Sequence, residues 1–484
     1  MSSMGKDKPT GKEYLRKKAG QPQGSTPTIQ RGSFSILYSR GGPLWSPYLP
    51  HDYAHPLKIT ITLCCLLLIF SAYSSSPTTH SSPSGHNVTP KQTTATAAPS
   101  GITTGTPLTD ADIAARMVQG MSLDQKLGQM VVVEFYGPTF NSDLMQMVQA
   151  NQVSGVLIEN KNGNAQTSAQ MLALNKAMQS HAHIPLFIST DYEGGGVNEL
   201  RQITGERPSN ASIGASDNPQ LAYDAGHAAA NDLTSLGLNV NFMPIVDILT
   251  NPNNPGLPQR SFGANPLLVT NMGRAYLKGL GDGGIVGCLK HFPGLGSANL
   301  DPHLSLPYMN RSLATLNSVD LVPYRTMINE GIVPMVMVTH ILNPQLDPKL
   351  PTSLSPNVVT NLLRNTLNFK GVIISDTLWM GGVSNSYNLS QAAVLAVKAG
   401  TDLLLGPRGL AETQEMLHGL HQAVINGDLT EKQINASVIR ILEMKLKYKI
   451  LQLAGILRDT EVRGSVQGTG SQTLADVDLR RKTL

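Results

Sequence analysis

The chain has 484 residues, of which 40% are apolar, and it carries a formal net charge of +4. This apolar content is in line with a globular protein that buries a sizeable core. Residues 1–58 hold nine Lys and Arg against three Asp and Glu, so the rest of the chain is slightly acidic. The main body is therefore not expected to present a basic surface for nucleic acid.

The chain begins with two segments of very different composition. Residues 1–58 are basic and are expected to form a disordered cytoplasmic tail, because Lys and Arg before an apolar segment favour the inner side of a membrane. Residues 59–73 are apolar and uncharged. We interpret them as a signal anchor or signal segment, although a spanning helix usually needs roughly 17–25 residues. The predicted location is the cell membrane, single-pass with the body outside, or secretion if the segment is cleaved.

Two further segments flank the body. Residues 74–107 are rich in Ser, Thr and Pro, which predicts a disordered linker that buries too little apolar surface to fold. Residues 456–484 have the composition of a polar C-terminal tail. Of the three cysteines only Cys288 lies in the body, so no disulfide within the body and no cysteine metal site are expected.

The body, residues 108–455, alternates helix and strand signals. Three residue pairs have the spacing of N-capping boxes, namely Thr109 with Asp112, Ser122 with Gln125 and Thr430 with Gln433. Eight apolar runs rich in β-branched residues are predicted as strands, at residues 130–135, 154–160, 184–190, 239–247, 285–292, 333–340, 371–376 and 401–407. These runs are continuous rather than alternating, as in strands that are buried on both faces.

Eight strand–helix units predict an α/β fold of the TIM type, a (β/α)₈ barrel. A doubly wound open sheet is the alternative. No GxGxxG motif follows a strand, so a dinucleotide site is not expected.

Polar residues follow several of the predicted strands. In a (β/α)₈ barrel the active site lies at the C-terminal ends of the strands. The residues at these ends are Asp191 and Glu193 after strand three, Asp247 after strand four, Lys290 and His291 after strand five, His340 after strand six and Asp376 after strand seven. The stretch "KHFPGLGSANLDPH" continues from strand five with Asp301 and His303, so this loop is predicted to face the same mouth.

Ordered motifs at these strand ends resemble glycoside hydrolase family 3, and within it the single-domain β-N-acetylhexosaminidase subgroup. The motifs are "DYEGG" (191–195), "NFMPIVDI" (241–248), "NPNNPGLPQRSFG" (251–263), "KHFPGLG" (290–296), "DPH" (301–303) and "NFKGVIISDTLWM" (368–380). The resemblance covers about residues 108–450. It implies a retaining exo-glycosidase that removes terminal non-reducing β-N-acetylglucosamine from an oligosaccharide or muropeptide, without a cofactor or a metal.

The resemblance also implies roles for individual residues. Asp376 matches the family's nucleophile, which forms a glycosyl-enzyme intermediate. His303 matches the acid/base residue of the subgroup, with Asp301 as its partner, and an imidazole paired with a carboxylate is suited to proton transfer near neutral pH. The residues that match the family's sugar-binding positions are Asp191, Arg260, Lys290 and His291.

The sequence departs from the subgroup's pattern at three positions. The subgroup commonly reads DQEGGRVNR after strand three, whereas Gly196 and Glu199 stand here at the two arginine positions. Leu295 replaces the middle histidine of the usual KHFPGHG. The second arginine would normally reach the substrate, and Arg201 is the predicted substitute for it.

Several alternatives remain open from the sequence alone. A histidine repels phosphate less than a carboxylate does, so a β-N-acetylglucosaminide phosphorylase of the same family is one alternative. A β-glucosidase and a catalytically weak sugar-binding module are two others. Finally, His291, Asp301 and His303 together have side chains suited to a metal ion.

Overall fold

The structure is a computed structural model that describes residues 108–452. The predictions for residues 1–58, 59–73, 74–107 and 456–484 lie outside the described residues. Among residues 108–452, no helix has both the length and the apolar character needed to cross a bilayer.

Eight parallel strands form the barrel, and a two-stranded hairpin is inserted after the third strand. The barrel strands are β1 (Val131–Glu134), β2 (Gly155–Ile158), β3 (Phe187–Thr190), β6 (Val240–Asn241), β7 (Val286–Phe292), β8 (Met335–Val338), β9 (Val372–Ser375) and β10 (Leu404–Arg408), and the hairpin is β4 (Tyr192–Gly194) with β5 (Val197–Asn198). Their order in the sheet is β10-β1-β2-β3-β6-β7-β8-β9. A bridge between Ile374 and Leu403 joins β9 to the start of β10 and closes the barrel. The predicted TIM-type barrel is confirmed, and the open-sheet alternative is wrong.

Helices connect the strands on the outside of the barrel. They are α1 (Asp110–Gln119), α2 (Leu123–Gly128), α3 (Ser142–Met145), α4 (Ser168–His181), α5 (Arg201–Thr204), α6 (Asn210–Ala215), α7 (Pro219–Ser235), α8 (Pro266–Asp282), α9 (Leu313–Thr315), α10 (Val322–Asn329), α11 (Gly381–Ser384), α12 (Leu389–Ala399), α13 (Gly409–Ile425) and α14 (Glu431–Lys447). The 3₁₀ segments are Asn160–Asn162 and Thr352–Leu354, and the π-helical segments are Gln146–Ala150, Leu316–Asp320 and Asn357–Thr366.

Local sequence signals place the helix starts where they were predicted. All three predicted capping boxes form, at α1, α2 and α14. A fourth box, Asn388 with Gln391, starts α12. Each box satisfies backbone N–H groups that the first helical turn leaves without a partner.

The strands are buried because side chains on one face fill the barrel and those on the other pack under the helices. Every residue of β1, β2, β3, β8 and β9 is buried. Burying one Val, Leu or Ile side chain contributes about 1.5–3 kcal/mol, so these runs stabilise the scaffold that holds the strand ends.

Candidate active site

A cavity lies at the C-terminal ends of the barrel strands. Its lining includes seven of the eight predicted site residues, namely Asp191, Arg260, Lys290, His291, Asp301, His303 and Asp376. In particular, Asp376 and His303 line the same cavity, as the sequence interpretation requires.

Glu193 forms the base of a buried ion network under the cavity. Its carboxylate accepts two hydrogen bonds from Arg260, at 2.7 and 2.8 Å, and lies 2.7 Å from Nζ of Lys290. Burial alone would raise the pKa of Glu193, but Arg260 and Lys290 outweigh burial and lower it to about 2. Glu193 is therefore a permanent anion that positions two cations, and its side chain is fully buried.

Lys290 links this network to the cavity surface. Its ammonium also lies 2.5 Å from Oδ1 of Asp191, which is partly exposed at the cavity wall. Burial would lower the pKa of Lys290, but the charges of Asp191 and Glu193 raise it overall. Asp191 is thus held as a hydrogen-bond acceptor beside a fixed cation.

His291 is oriented by the carboxylate of Asp247. The Nδ1 atom of His291 lies 2.6 Å from Oδ2 of Asp247, and the same carboxylate accepts backbone N–H groups of His291 and Leu295. An Nδ1–H donated to Asp247 leaves Nε2 without a proton, and this nitrogen lies 3.5 Å from Nη2 of Arg260 at the cavity lining. The peptide bond between Lys290 and His291 is cis.

The loop after β7 brings His303 and Asp301 together. Oδ1 of Asp301 accepts the backbone N–H of His303 at 2.9 Å and lies 2.7 Å from its Nδ1 atom. Burial would raise the pKa of Asp301, but its hydrogen bonds with His303 lower it, so the carboxylate stays ionised. The pairing fixes the ring and leaves Nε2 available for proton exchange, while the side chain of His303 is 55% exposed.

The same loop is attached to the segment that follows Asp376. The backbone N–H of Gly381 donates to the carbonyl of His303 at 3.0 Å, and that of Gly382 donates to the carbonyl of Pro302 at 2.9 Å. A Cβ atom at Gly381 would lie 2.4 Å from the carbonyl oxygen of Leu304, so only glycine permits this close approach. We call the Gly381–Gly382 pair the latch.

Asp376 lies at the end of β9 and is 9% exposed. Its carboxylate accepts a hydrogen bond from the hydroxyl of Thr339 at 3.0 Å and one from the backbone N–H of Thr377 at 2.9 Å. Burial alone would raise the pKa of Asp376, but the neighbouring histidines, His340 first, together with the Thr377 N–H, lower it. An ionised, oriented carboxylate at this position is suited to nucleophilic attack.

Arg201 is the predicted site residue that the structure does not bring to the cavity. Its guanidinium donates to the carbonyl of Gly195 and pairs with Glu206 at 3.1 Å, and its side chain is 44% exposed. Arg201 follows the β4–β5 hairpin as the first residue of α5, which directs it to the hairpin rather than to the cavity lining.

Sequence reasoning missed a charged wall of the cavity, formed by Glu159, Lys161 and Trp379 and supported from behind by the buried Glu134. Lys161 lies 2.9 Å from Oε1 of Glu159 and sits over the ring of Trp379, 4.9 Å from its centroid. The indole N–H of Trp379 donates to Glu134 at 2.5 Å. Burial and the neighbouring Glu134 raise the pKa of Glu159 to about 8. Glu134 ends β1, Glu159 and Lys161 follow β2, and Trp379 follows β9, so no local spacing in the sequence indicates the contacts of Trp379 with Lys161 and Glu134.

The described residues form no metal site. Within residues 108–452, no group of three His, Cys, Asp or Glu side chains is placed to hold a metal ion. His291, Asp301 and His303 are accordingly not gathered into one.

Comparison with known proteins assigns the family. The family model described as "Glycosyl hydrolase family 3 N terminal domain" matches residues 122–444. The chain belongs to glycosyl hydrolase family 3. The family predicted from the strand-end motifs is confirmed.

Several known proteins resemble the chain over most of the barrel. Beta-hexosaminidase A of Pseudoalteromonas piscicida is 33% identical over 335 residues, which are 64% of this chain and 56% of that protein. A secreted glycosyl hydrolase of Arthroderma benhamiae is 34% identical over 349 residues, 69% of this chain and 98% of that protein. The structure of a family 3 beta-N-acetylglucosaminidase from Paenibacillus sp. str. FPU-7 superimposes with a TM-score of 0.67 at 34% identity, covering 73% of this chain and 66% of that one. The chain therefore spans little more than half of the Pseudoalteromonas protein.

Replacing Glu193 by Ala is expected to destabilise the family 3 barrel strongly. The change leaves the buried Lys290 and the mostly buried Arg260 without their shared partner, and breaking such a pair typically costs about 3–5 kcal/mol. Urea unfolding measures the free energy, and Glu330→Ala is the control because its pair with Arg274 is partly exposed and is expected to contribute about 0–1 kcal/mol. A loss at Glu193 no larger than at Glu330 would contradict this prediction.

The same ion network predicts a pH dependence. The folded pKa of Glu193 is about 2, below its ordinary 4.5. The unfolded chain therefore binds more protons between these values, so this contribution to stability is complete above about 4.5 and is lost as the pH falls toward 2.

Proposed function

We propose that the chain is a retaining exo-glycosidase that hydrolyses terminal non-reducing β-N-acetylglucosamine, a β-N-acetylhexosaminidase. The observation that carries the proposal is the common cavity of Asp376 and the His303–Asp301 pair. Relatives named beta-hexosaminidase and beta-N-acetylglucosaminidase support the same activity.

In the first step Asp376 attacks the anomeric carbon. The bond between that carbon and the leaving-group oxygen breaks, and His303 transfers its proton to this oxygen. Asp301 stabilises the imidazolium before transfer, because it remains a carboxylate at 2.7 Å from the ring. The product of this step is a covalent ester between the sugar and Asp376, with the aglycone released as an alcohol.

In the second step water hydrolyses the ester. The water oxygen attacks the anomeric carbon while His303, now neutral, accepts a proton from the water. The bond between that carbon and Asp376 breaks, and Asp376 leaves as a carboxylate. Two inversions at the same carbon give net retention of the β configuration. Asp191, Arg260, Lys290 and His291 are proposed to hold the terminal sugar, since charged groups fixed by partners position its hydroxyls without reorganisation.

The experiment that tests the proposal is an assay of aryl β-glycosides. We expect nitrophenol release from the β-N-acetylglucosaminide, with the β-anomer formed first by proton NMR, and much slower release from the β-glucoside. Absence of turnover with measurable sugar binding would instead identify a binding module. Formation of sugar 1-phosphate on addition of inorganic phosphate would identify a phosphorylase.

We also propose that the barrel works outside the cytoplasm, with residues 1–58 as cytoplasmic tail, residues 59–73 as anchor and residues 74–107 as tether to a catalytic barrel over residues 108–455. A relative named as a secreted glycosyl hydrolase supports an exported location. Alkaline carbonate extraction of membranes tests the anchor: the full chain should stay with the lipid, and its complete release would contradict anchoring.

A further inference from the structure

The charged wall contributes an accessible cation to the cavity that the proposed mechanism does not use. Lys161, from the segment between β2 and α4, lines the cavity together with Glu159 and Trp379. Lys161 has a side chain that is 57% exposed, whereas Arg260 and Lys290 are 17% and 2% exposed. Of the Lys and Arg side chains in the cavity lining, Lys161 is thus the one most open to a ligand.

The ammonium of Lys161 is held in place although it is accessible. Glu159 accepts from it at 2.9 Å, and the ring of Trp379 lies beneath it at 4.9 Å. Trp379 is in turn fixed by its hydrogen bond to Glu134. An ammonium has three N–H donors, so the pairing with Glu159 leaves donors for a ligand, and a fixed donor binds with less loss of entropy.

The backbone next to Lys161 is tied to the segment that carries Asp191. The side chain of Glu199 accepts the backbone N–H of Asn160 at 2.6 Å. The backbone N–H of Glu199 donates to the carbonyl of Asp191 at 3.3 Å. Glu199, which stands at one of the subgroup's two arginine positions, therefore anchors the backbone of Asn160. The next residue in the chain is the cavity-lining Lys161.

The charge around Lys161 indicates which chemistry it can bind. Burial would lower the pKa of Lys161, but Glu159, Glu134 and Glu199 raise it, so the ammonium stays protonated. The ammonium is already paired with Glu159, so a neutral hydroxyl can accept one of its remaining N–H groups without a further charge entering the site.

We propose that Lys161 is a specificity-determining residue that donates a hydrogen bond to one hydroxyl oxygen of the terminal sugar, and that Glu199 is the positioning residue for its loop. This inference rests on the proposed function, because it assumes that the cavity receives a terminal sugar. Lys161 thereby takes the part that the sequence alone assigned to Arg201.

The test is a coupling experiment between enzyme and substrate. The aryl β-N-acetylglucosaminide and its 3-, 4- and 6-deoxy analogues are assayed with wild type and with Lys161→Met, which keeps the apolar stem. A hydrogen bond to a charged group predicts a loss of kcat/KM of about 10- to 100-fold on the parent substrate. One deoxy analogue should lack the hydroxyl that Lys161 binds. With that analogue, wild-type kcat/KM should fall by the same factor, and Lys161→Met should lower it little further.

Two controls separate a sugar contact from a structural role. Arg201→Met, at the residue that does not line the cavity, should leave all four substrates within about twofold of wild type, as expected of a surface change. Glu199→Ala should reduce the coupling, and Glu199→Gln should restore it, because the Gln side chain can still accept the Asn160 N–H. Equal losses on all analogues, with no coupling at any position, would overturn the assignment of Lys161.

Binding distinguishes this inference from the proposed function. Isothermal titration with N-acetylglucosamine and its deoxy analogues measures the same coupling without turnover. If the wild type binds the sugar but does not hydrolyse the aryl glycoside, the proposed activity is wrong. The binding data then still show whether Lys161 contacts the sugar. Identical dissociation constants of wild type and Lys161→Met for N-acetylglucosamine would overturn the contact whatever the activity.

Discussion

Replacing Asp376 by Asn is expected to reduce kcat on aryl β-N-acetylglucosaminide by at least about 10³-fold, because removal of a covalent nucleophile leaves only binding and residual stabilisation. An amide cannot form the ester on which the retaining route depends. The shape of the side chain is conserved, and its oxygen can still accept the N–H of Thr377 while the hydroxyl of Thr339 reorients. The fold and the affinity for the sugar should therefore persist.

Steady-state kinetics, with thermal unfolding measured in parallel, check this expectation. Asp428→Asn is a matched control, because Asp428 pairs with Lys398 at the surface and does not line the cavity. It should retain wild-type turnover. Near-normal turnover of Asp376→Asn would remove Asp376 as the nucleophile.

The loss of rate on replacing His303 by Ala is expected to depend on the leaving group of the substrate. General acid catalysis contributes about 10²- to 10⁴-fold, so glycosylation by a substrate with an alkyl leaving group should slow by about that factor. A dinitrophenyl leaving group needs no proton, so its first step should be nearly unchanged. The second step also loses its base, so a burst of dinitrophenol followed by slow turnover is expected.

Pre-steady-state kinetics resolve the two steps, and added azide should speed the second one because it attacks the glycosyl-enzyme without needing a base. The control is His183→Ala, at a residue next to α4 that does not line the cavity. Asp301→Asn should show a smaller form of the same pattern, since Asp301 acts through the His303 ring. An equal loss on both classes of leaving group would contradict the acid role of His303.

The barrel could be predicted from the sequence because its strands are buried on both faces. Such strands appear as continuous apolar runs, and each of the eight predicted runs overlaps one strand of the barrel. The strand ends then give the mouth of the barrel without any further information, which is why Asp191, Lys290 and Asp376 were found together. The short hairpin β4–β5 was not predicted, because its two short strands lie within the glycine-rich stretch after Asp191.

The contacts of Trp379 in the charged wall could not be predicted, because they join residues far apart in the sequence. Trp379 and Glu134 are 245 residues apart and meet only because β9, β10 and β1 are neighbours in the barrel. The departure at Glu199 was visible in the sequence, but its partner, the backbone N–H of Asn160, belongs to another strand–loop unit. Proximity in sequence favours Arg201 as the substitute arginine, but the β4–β5 hairpin directs its side chain elsewhere.

The latch at Gly381 and Gly382 has a consequence for how such enzymes can diverge. It holds the loop of His303 through main-chain carbonyls, and those atoms are the same whichever side chains the loop carries. A change of an exposed loop side chain in the cavity lining, such as Leu300, can consequently reshape the room for an aglycone while His303 keeps its position. The preference for one aglycone or another can thereby change while the residues that break the glycosidic bond stay the same.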